Sequence, residues 1–258
     1  MKSIIAVING VEENKSLLAS AVNLATFFGT DIKLVCFLEA PVGWEKLRRA
    51  GRDKFPEVKA KIAHAKELMD SYLKDIRNLG IVSSKGFCYY QDQGVKVILD
   101  NEHSNLILVQ KKSLNIKGIK NTIVGLDENV LVLNEEFNPT DLNFGLFNSS
   151  FKTESELTPE ILCRFLDQKL FSLNLLYINT KLVNEDSAIS IKNMKRVINN
   201  CALSKTKISI FYADTLNKGL LSFVEVNETD IIIRELCDKL SLTDLNLNFT
   251  PTLYIRRS

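Results

Sequence analysis

The sequence predicts an α/β protein built as two tandem open, mostly parallel sheets flanked by helices. Three observations carry that expectation. A segment recurs: Gly94 and the run 95–99 lead to Asn105 and the apolar stretch 106–109, while Gly219 and 220–224 lead to Asp230 and 231–233. The glycine stands the same distance before Asn105 as before Asp230, and each copy continues to a second apolar run, 130–133 or 251–255. Around these segments, short apolar runs alternate with stretches of helical periodicity, the order that right-handed crossovers turn into a parallel sheet. A polar linker containing Pro139, residues 135–141, places the first unit at 1–137 and a second, degenerate unit at 141–258.

Within the first unit, residues 3–8 form a continuous apolar run, the mark of a strand covered on both faces, and Asn9-Gly10 ends it. Leu17, Leu18, Ala21, Val22, Leu24, Ala25 and Phe28 then fall on one helical face, with Gly29 as a natural stop. Residues 31–38 read as a second buried strand, and 41–55 as a polar loop holding Trp44, the single tryptophan. Pro56 suits a first helical turn and opens a long helix over 57–78. The inward face of that helix is expected at Val58, Ile62, Ala65, Leu68, Met69, Tyr72, Leu73 and Ile76. A third strand over 84–91, a short helix over 94–101, and strands over 106–110 and 129–134 complete the unit.

The second unit is shorter. Strands are expected over 143–147, 172–178 and 207–213, with a helix over 158–169 and a cut-down one over 189–201. The repeated segment beginning at Gly219 then leads to the last two strands.

A net charge of +2 gives no concentrated basic face, so nucleic acid is not an expected partner. The basic stretch 46–54 reads as a solvated segment. No apolar run approaches the ~20 residues of a membrane helix, and the chain enters its first strand without a charged-then-apolar leader. Cys36, Cys88, Cys163, Cys201 and Cys237 are odd in number and widely spaced, which fits a reduced, cytoplasmic setting. His64 and His103 are far apart and without ligand spacing, so no metal is expected.

Three local features look like parts of one family. Ile4-Ile5-Ala6-Val7-Ile8-Asn9-Gly10 resembles a first strand followed by Asp-Gly; 17–25 resembles the first helix; 129–133 and 250–255 resemble a last strand often written Cys-Pro-Val-Leu-Val-Val. In this order, twice over, they resemble a tandem universal stress protein. The resemblance implies a Rossmann-like fold and a pseudo-dimeric monomer in which 130–133 and 253–255 are antiparallel neighbours. Members that bind ATP carry Gly-x2-Gly-x9-Gly-Ser/Thr after the fourth strand, because backbone without side chains lets amides approach phosphate. Here 110–125 holds Gly118 and Gly125 at the wrong spacing, and 235–248 holds no glycine. Asn9 and Asn148 stand where the family places an acid, so neither unit is expected to bind ATP in the family manner.

Asn9, Gly10, Lys111, Lys112 and Gly118 are the candidate ligand-binding residues, with Trp44 and Arg48 as loop contacts. Trp44 and Phe55 either cover a ligand or pin the loop to the body, and pinning is the preferred reading. Ser149-Ser150 lies at a strand's carboxyl end, but the second unit has no histidine for a Ser-His pair. With no nucleophile–base pair, metal set or phosphate loop, the expectation is a non-catalytic stress-response module without a cofactor. It would act on a protein or small molecule, mainly through its first unit, and a homodimer of the tandem chain stays open. The alternative is an adenine-nucleotide sensor, holding ATP or AMP through Asn9 and the lysines after Gln110.

Overall fold

The computed structural model describes residues 3–10, 14–41, 43–89, 106–115, 119, 128–151, 160–168, 171–180, 187–200, 205–235 and 250–255. The chain divides into two compact units, Met1–Phe137 and Asn138–Ser258. Among the described residues, no helix is long and apolar enough to cross a membrane.

The first unit contains β1 (Ser3–Asn9), α1 (Lys15–Phe28), β2 (Asp31–Leu38), α2 (Arg49–Arg52), α3 (Pro56–Asn78), β3 (Ser83–Tyr89), β4 (Leu106–Gln110) and β5 (Asn129–Leu133). Its strands are all parallel, in the order β3-β2-β1-β4-β5. Ile4 to Ile8 are fully buried, as the unbroken apolar run requires of a strand with helices on both faces. α1 buries Leu17, Ser20, Ala21, Leu24 and Ala25, and Gly29 ends it in the left-handed region at φ 61°. α3 buries Ile62, Ala65, Met69, Tyr72, Leu73 and Ile76, while Val58 and Leu68, expected inside, are half-buried. The stretch 41–55 is not a plain loop: a 3-10 turn at Trp44–Lys46 and the short α2 organise it. The unit ends on Phe137, buried, whose N–H donates to Ser20 Oγ at 2.8 Å and whose carbonyl accepts from Asn23 Nδ2 at 3.3 Å.

The second unit contains β6 (Phe144–Asn148), α4 (Glu160–Gln168), β7 (Ser172–Thr180), α5 (Ser187–Asn200), β8 (Thr206–Ala213), α6 (Leu216–Val226), β9 (Ile231–Glu235) and β10 (Thr252–Ile255). Its strands are parallel in the order β8-β7-β6-β9-β10, the same connectivity as in the first unit. The α/β class with open, mostly parallel sheets flanked by helices is therefore the observed one. The helix expected over 94–101, with Gly94 and Asn105, lies outside the described residues.

The two sheets also match row by row. Ile5, Lys33, Ser84, Ile107 and Val130 are register partners across the first sheet. Leu146, Asn174, Lys207, Ile232 and Thr252 are register partners across the second. Ile107 and Ile232 stand equally far past the repeated Asn105 and Asp230, so these rows correspond.

Both markers of the repeat have a physical reason in the second unit. A Cβ on Gly219 would sit 2.7 Å from Ile178 Cγ2 and 2.9 Å from Ala213 Cβ, so α6 lies against β7 and β8 at a distance only glycine permits. The Asp230 carboxylate accepts the N–H of Asn143 at 2.7 Å and of Phe144 at 2.9 Å, while its own N–H donates to Phe144 O at 2.8 Å. It thereby anchors the start of β6.

Gly219→Ala sets a helical gain of about 1 kcal/mol against overpacking of about 1–3 kcal/mol. Ala213 Cβ has no rotamer to yield, so overpacking wins. Urea unfolding should show a lower midpoint; a raised midpoint would mean that α6 does not seat this closely. Asp230→Ala leaves two amides without their carboxylate and should cost about 1–2 kcal/mol in the same measurement, with Asp230→Asn recovering part of it. An unchanged Asp230→Ala midpoint would remove the anchoring role.

Candidate functional site

Ligands of open α/β sheets bind at the carboxyl ends of the strands, where the strand order reverses. In the first unit that point lies between β1 and β4. Val7 pairs with Val109, so Gln110, one residue on, stands beside the end of β1. Gln110 is buried and its Nε2 donates to Ser16 Oγ at 2.7 Å, bridging from the tip of β4 to the first turn of α1. Ser16 is in turn fixed to that helix: its carbonyl accepts from Ser20 Oγ at 2.7 Å.

Asn9 ends β1, and its carbonyl accepts from Asn14 Nδ2 at 3.1 Å, joining strand end to helix start. Gly10 is buried, and a Cβ there would meet Leu38 Cδ2 at 2.7 Å and Cys36 Sγ at 2.9 Å. Its smallness serves the packing of β1 against β2. Lys111 and Lys112 follow β4 in a 3-10 turn, Lys111–Asn115, which buries Ser113 and Leu114. Lys111 is half-buried and Lys112 exposed. Gly118 lies outside the described residues. Asn9, Gly10, Lys111 and Lys112 thus lie at the carboxyl ends of the adjacent strands β1 and β4.

Trp44 is buried, edge-on to Phe55 with ring centroids 6.4 Å apart, and the Arg52 guanidinium lies 5.6 Å from its ring centre. The tryptophan is thus packed against residues of its own 41–55 segment. Arg48 is exposed; its carbonyl accepts from the N–H groups of Gly51 and Arg52 to start α2. A hydrogen bond from Lys59 holds the exposed Asp53 carboxyl below its ordinary range and ties α2 to α3. Burial pushes the Cys36 thiol up to about 12, so it is a neutral apolar filler rather than a nucleophile. Among the described residues no three His, Cys, Asp or Glu side chains gather as a metal would need.

The second unit's carboxyl edge is built differently. Asn148 and Arg234 are register partners and both are buried, in the row held by Val7 and Val109 in the first unit. Asn148 Nδ2 donates to Leu176 O at 3.1 Å, inside the sheet. The sequence reading equates Asn9 with Asn148, but the register makes Ser150 the counterpart of Asn9. Residues 148–151 are clamped: Phe151 N–H donates to Ser149 Oγ at 3.1 Å, Ser190 Oγ to Ser150 O at 3.2 Å, and Asn193 Nδ2 to Phe151 O at 2.7 Å. Phe151, fully buried against Phe147, has φ 51°, a left-handed backbone that a bulky residue keeps only when its surroundings impose it. Gln110 and Arg234 escape sequence reasoning, although each is a polar break in an apolar run.

No family model and no curated protein matches the sequence. Among solved structures, a universal stress protein from Archaeoglobus fulgidus DSM 4304 is similar at TM-score 0.71 and 14% identity, covering 99% of this chain and 96% of that one. A putative universal stress protein from Pseudomonas aeruginosa UCBPP-PA14 is similar at TM-score 0.63 and 11% identity, covering 100% and 94%. The cytoplasmic domain of a prokaryotic cation chloride cotransporter is similar at TM-score 0.59 and 8% identity, covering 98% and 94%.

The Cys36 environment gives a test with a definite sign. The thiol ionises near its ordinary 9.0 in the unfolded chain and near 12 in the folded one, so the native state gains nothing from ionisation in that window. Stability is unaffected by this group below pH 9.0 and falls as pH rises toward 12. Denaturant unfolding should show a shallower alkaline loss in Cys36→Ala than in the natural chain; equal slopes would mean that the thiol is not desolvated.

Proposed function

We propose, on the footing of a universal stress protein fold, that this chain is a non-catalytic stress-response module acting through protein or small-ligand contacts. In this reading it works in the cytoplasm and does not hold ATP in the manner of glycine-loop relatives. The observation that carries the reading is the Gln110–Ser16 bridge at the switch point of the first unit. A glycine loop offers phosphate a row of bare amides; here the residue that ends β4 is a buried glutamine whose side chain is bonded to Ser16 of α1. The sequence agrees, since neither fourth-strand loop has the glycine spacing. Fold alone does not fix function, and a cotransporter's cytoplasmic domain shares this one.

A second reading keeps an adenine nucleotide at the same edge, held by Asn9, Lys111 and Lys112. What favours it is that both lysines follow β4 directly, where phosphate would lie. Calorimetric titration of the full chain separates the two. The first reading expects no saturable heat with ATP or AMP up to about 1 mM, where a complex would still be worth about 4 kcal/mol. Saturable binding that is lost in Lys111→Ala or Lys112→Ala would establish the second.

A further inference from the structure

We propose that the second unit binds a small amphipathic organic anion in a cleft at the amino-terminal edge of its sheet. This is the end of the strands opposite to the switch-point edge, so the inference does not rest on the nucleotide reading and fails separately from it. The cleft measures about 610 Å³, within the range of small-molecule sites.

The floor of the cleft follows from strand alternation. Ile178 and Ala213 meet Gly219, so that side of β7 and β8 faces α6. Asn174 and Lys207 are an even number of residues from Ile178 and Ala213, and Leu146 is their register partner, so all three face the same way. α6 ends at Val226, and its last turns supply Phe223 and Val226 as the facing wall. Lys205 adds a second ammonium at the entrance to β8.

Three features define the ligand. First, among the described residues neither Lys205 nor Lys207 has an ion-pair partner, and Glu228 is the lining's single carboxylate, so the cleft is net cationic. Second, Asn174 Oδ1 is buried with no donor, an acceptor that an N–H or O–H on the ligand would satisfy. Third, large apolar side chains are left open at this edge: Val226 is 77% and Phe144 39% exposed, and both line the cleft. An apolar body on Phe144, Phe223 and Val226, an anionic head at the lysines and one donor toward Asn174 answer all three.

Indole-3-acetate carries an aromatic body, one N–H and one carboxylate, and serves as the probe. Calorimetry on the full chain should give saturable binding with a Kd of about 1 mM or tighter. Tryptamine, the same body with a cation, should bind at least about tenfold more weakly, as should Lys205→Gln/Lys207→Gln toward the acetate. Val226→Glu, at an exposed position, places a carboxylate at the mouth and should abolish binding, with unchanged thermal melts showing that both variants fold. No saturable heat with the acetate, equal affinity for tryptamine, or full affinity in the folded double-lysine variant would each overturn the proposal.

Discussion

A parallel strand covered on both faces leaves its backbone no partner but the next strand, and its side chains no place but between two layers of helix. That constraint, applied from Ile4 to Ile8 and again through Ile231 to Ile233, sets nearly everything else in each unit. It fixes the register, because a slip of one residue would turn each strand's side chains to the other face. With register fixed, the polar residues that the strands do carry are held at definite heights. Gln110 comes at the tip of β4, where the apolar run gives out, and Asn148 and Arg234 come together one row lower in the other unit.

The consequence for ligand binding lies in what occupies the strand tips. A phosphate site made of backbone needs amides that point outward with nothing in front of them. In the first unit the tip of β4 carries a side-chain hydrogen bond to α1 and is followed by a turn burying Ser113 and Leu114. In the second, the chain leaving β6, the counterpart of β1, is clamped by Ser190 and Asn193. The described strand ends therefore carry different side-chain contacts in the two units.

The architecture was legible because it is written in periodicity, which survives with little sequence identity. The runs at 3–8 and 31–38, the helical face of α3 and the recurring Gly219 and Asp230 all pointed the right way. Their causes were not legible. Gly219 marks a close helix approach, and Asp230 ties down the start of β6; each reason lies in residues distant in sequence, Ile178 and Ala213 for one and Asn143 and Phe144 for the other. No periodic apolar pattern marks the stretch 41–55, so its 3-10 turn and short helix leave no sequence signal; Trp44 organises it through contacts to Phe55 and Arg52. The match of Asn9 with Asn148 failed because both follow apolar runs, and only the pairing with neighbouring strands reveals the two-residue offset. The amino-edge cleft was invisible for a similar reason: it depends on where α6 stops relative to strands that precede it.

Phe151 bears on how the chain is made. Its left-handed backbone is held from one side by Ser149, two residues away, and from the other by Asn193, 42 residues further along. On a ribosome, the near contact is available at once, whereas the far one waits until α5 has been synthesised. A nascent chain that stops short of Asn193 therefore has the Ser149 contact without the Asn193 one. The left-handed turn out of β6 thus gains its second hydrogen bond only once the middle of the second unit has emerged.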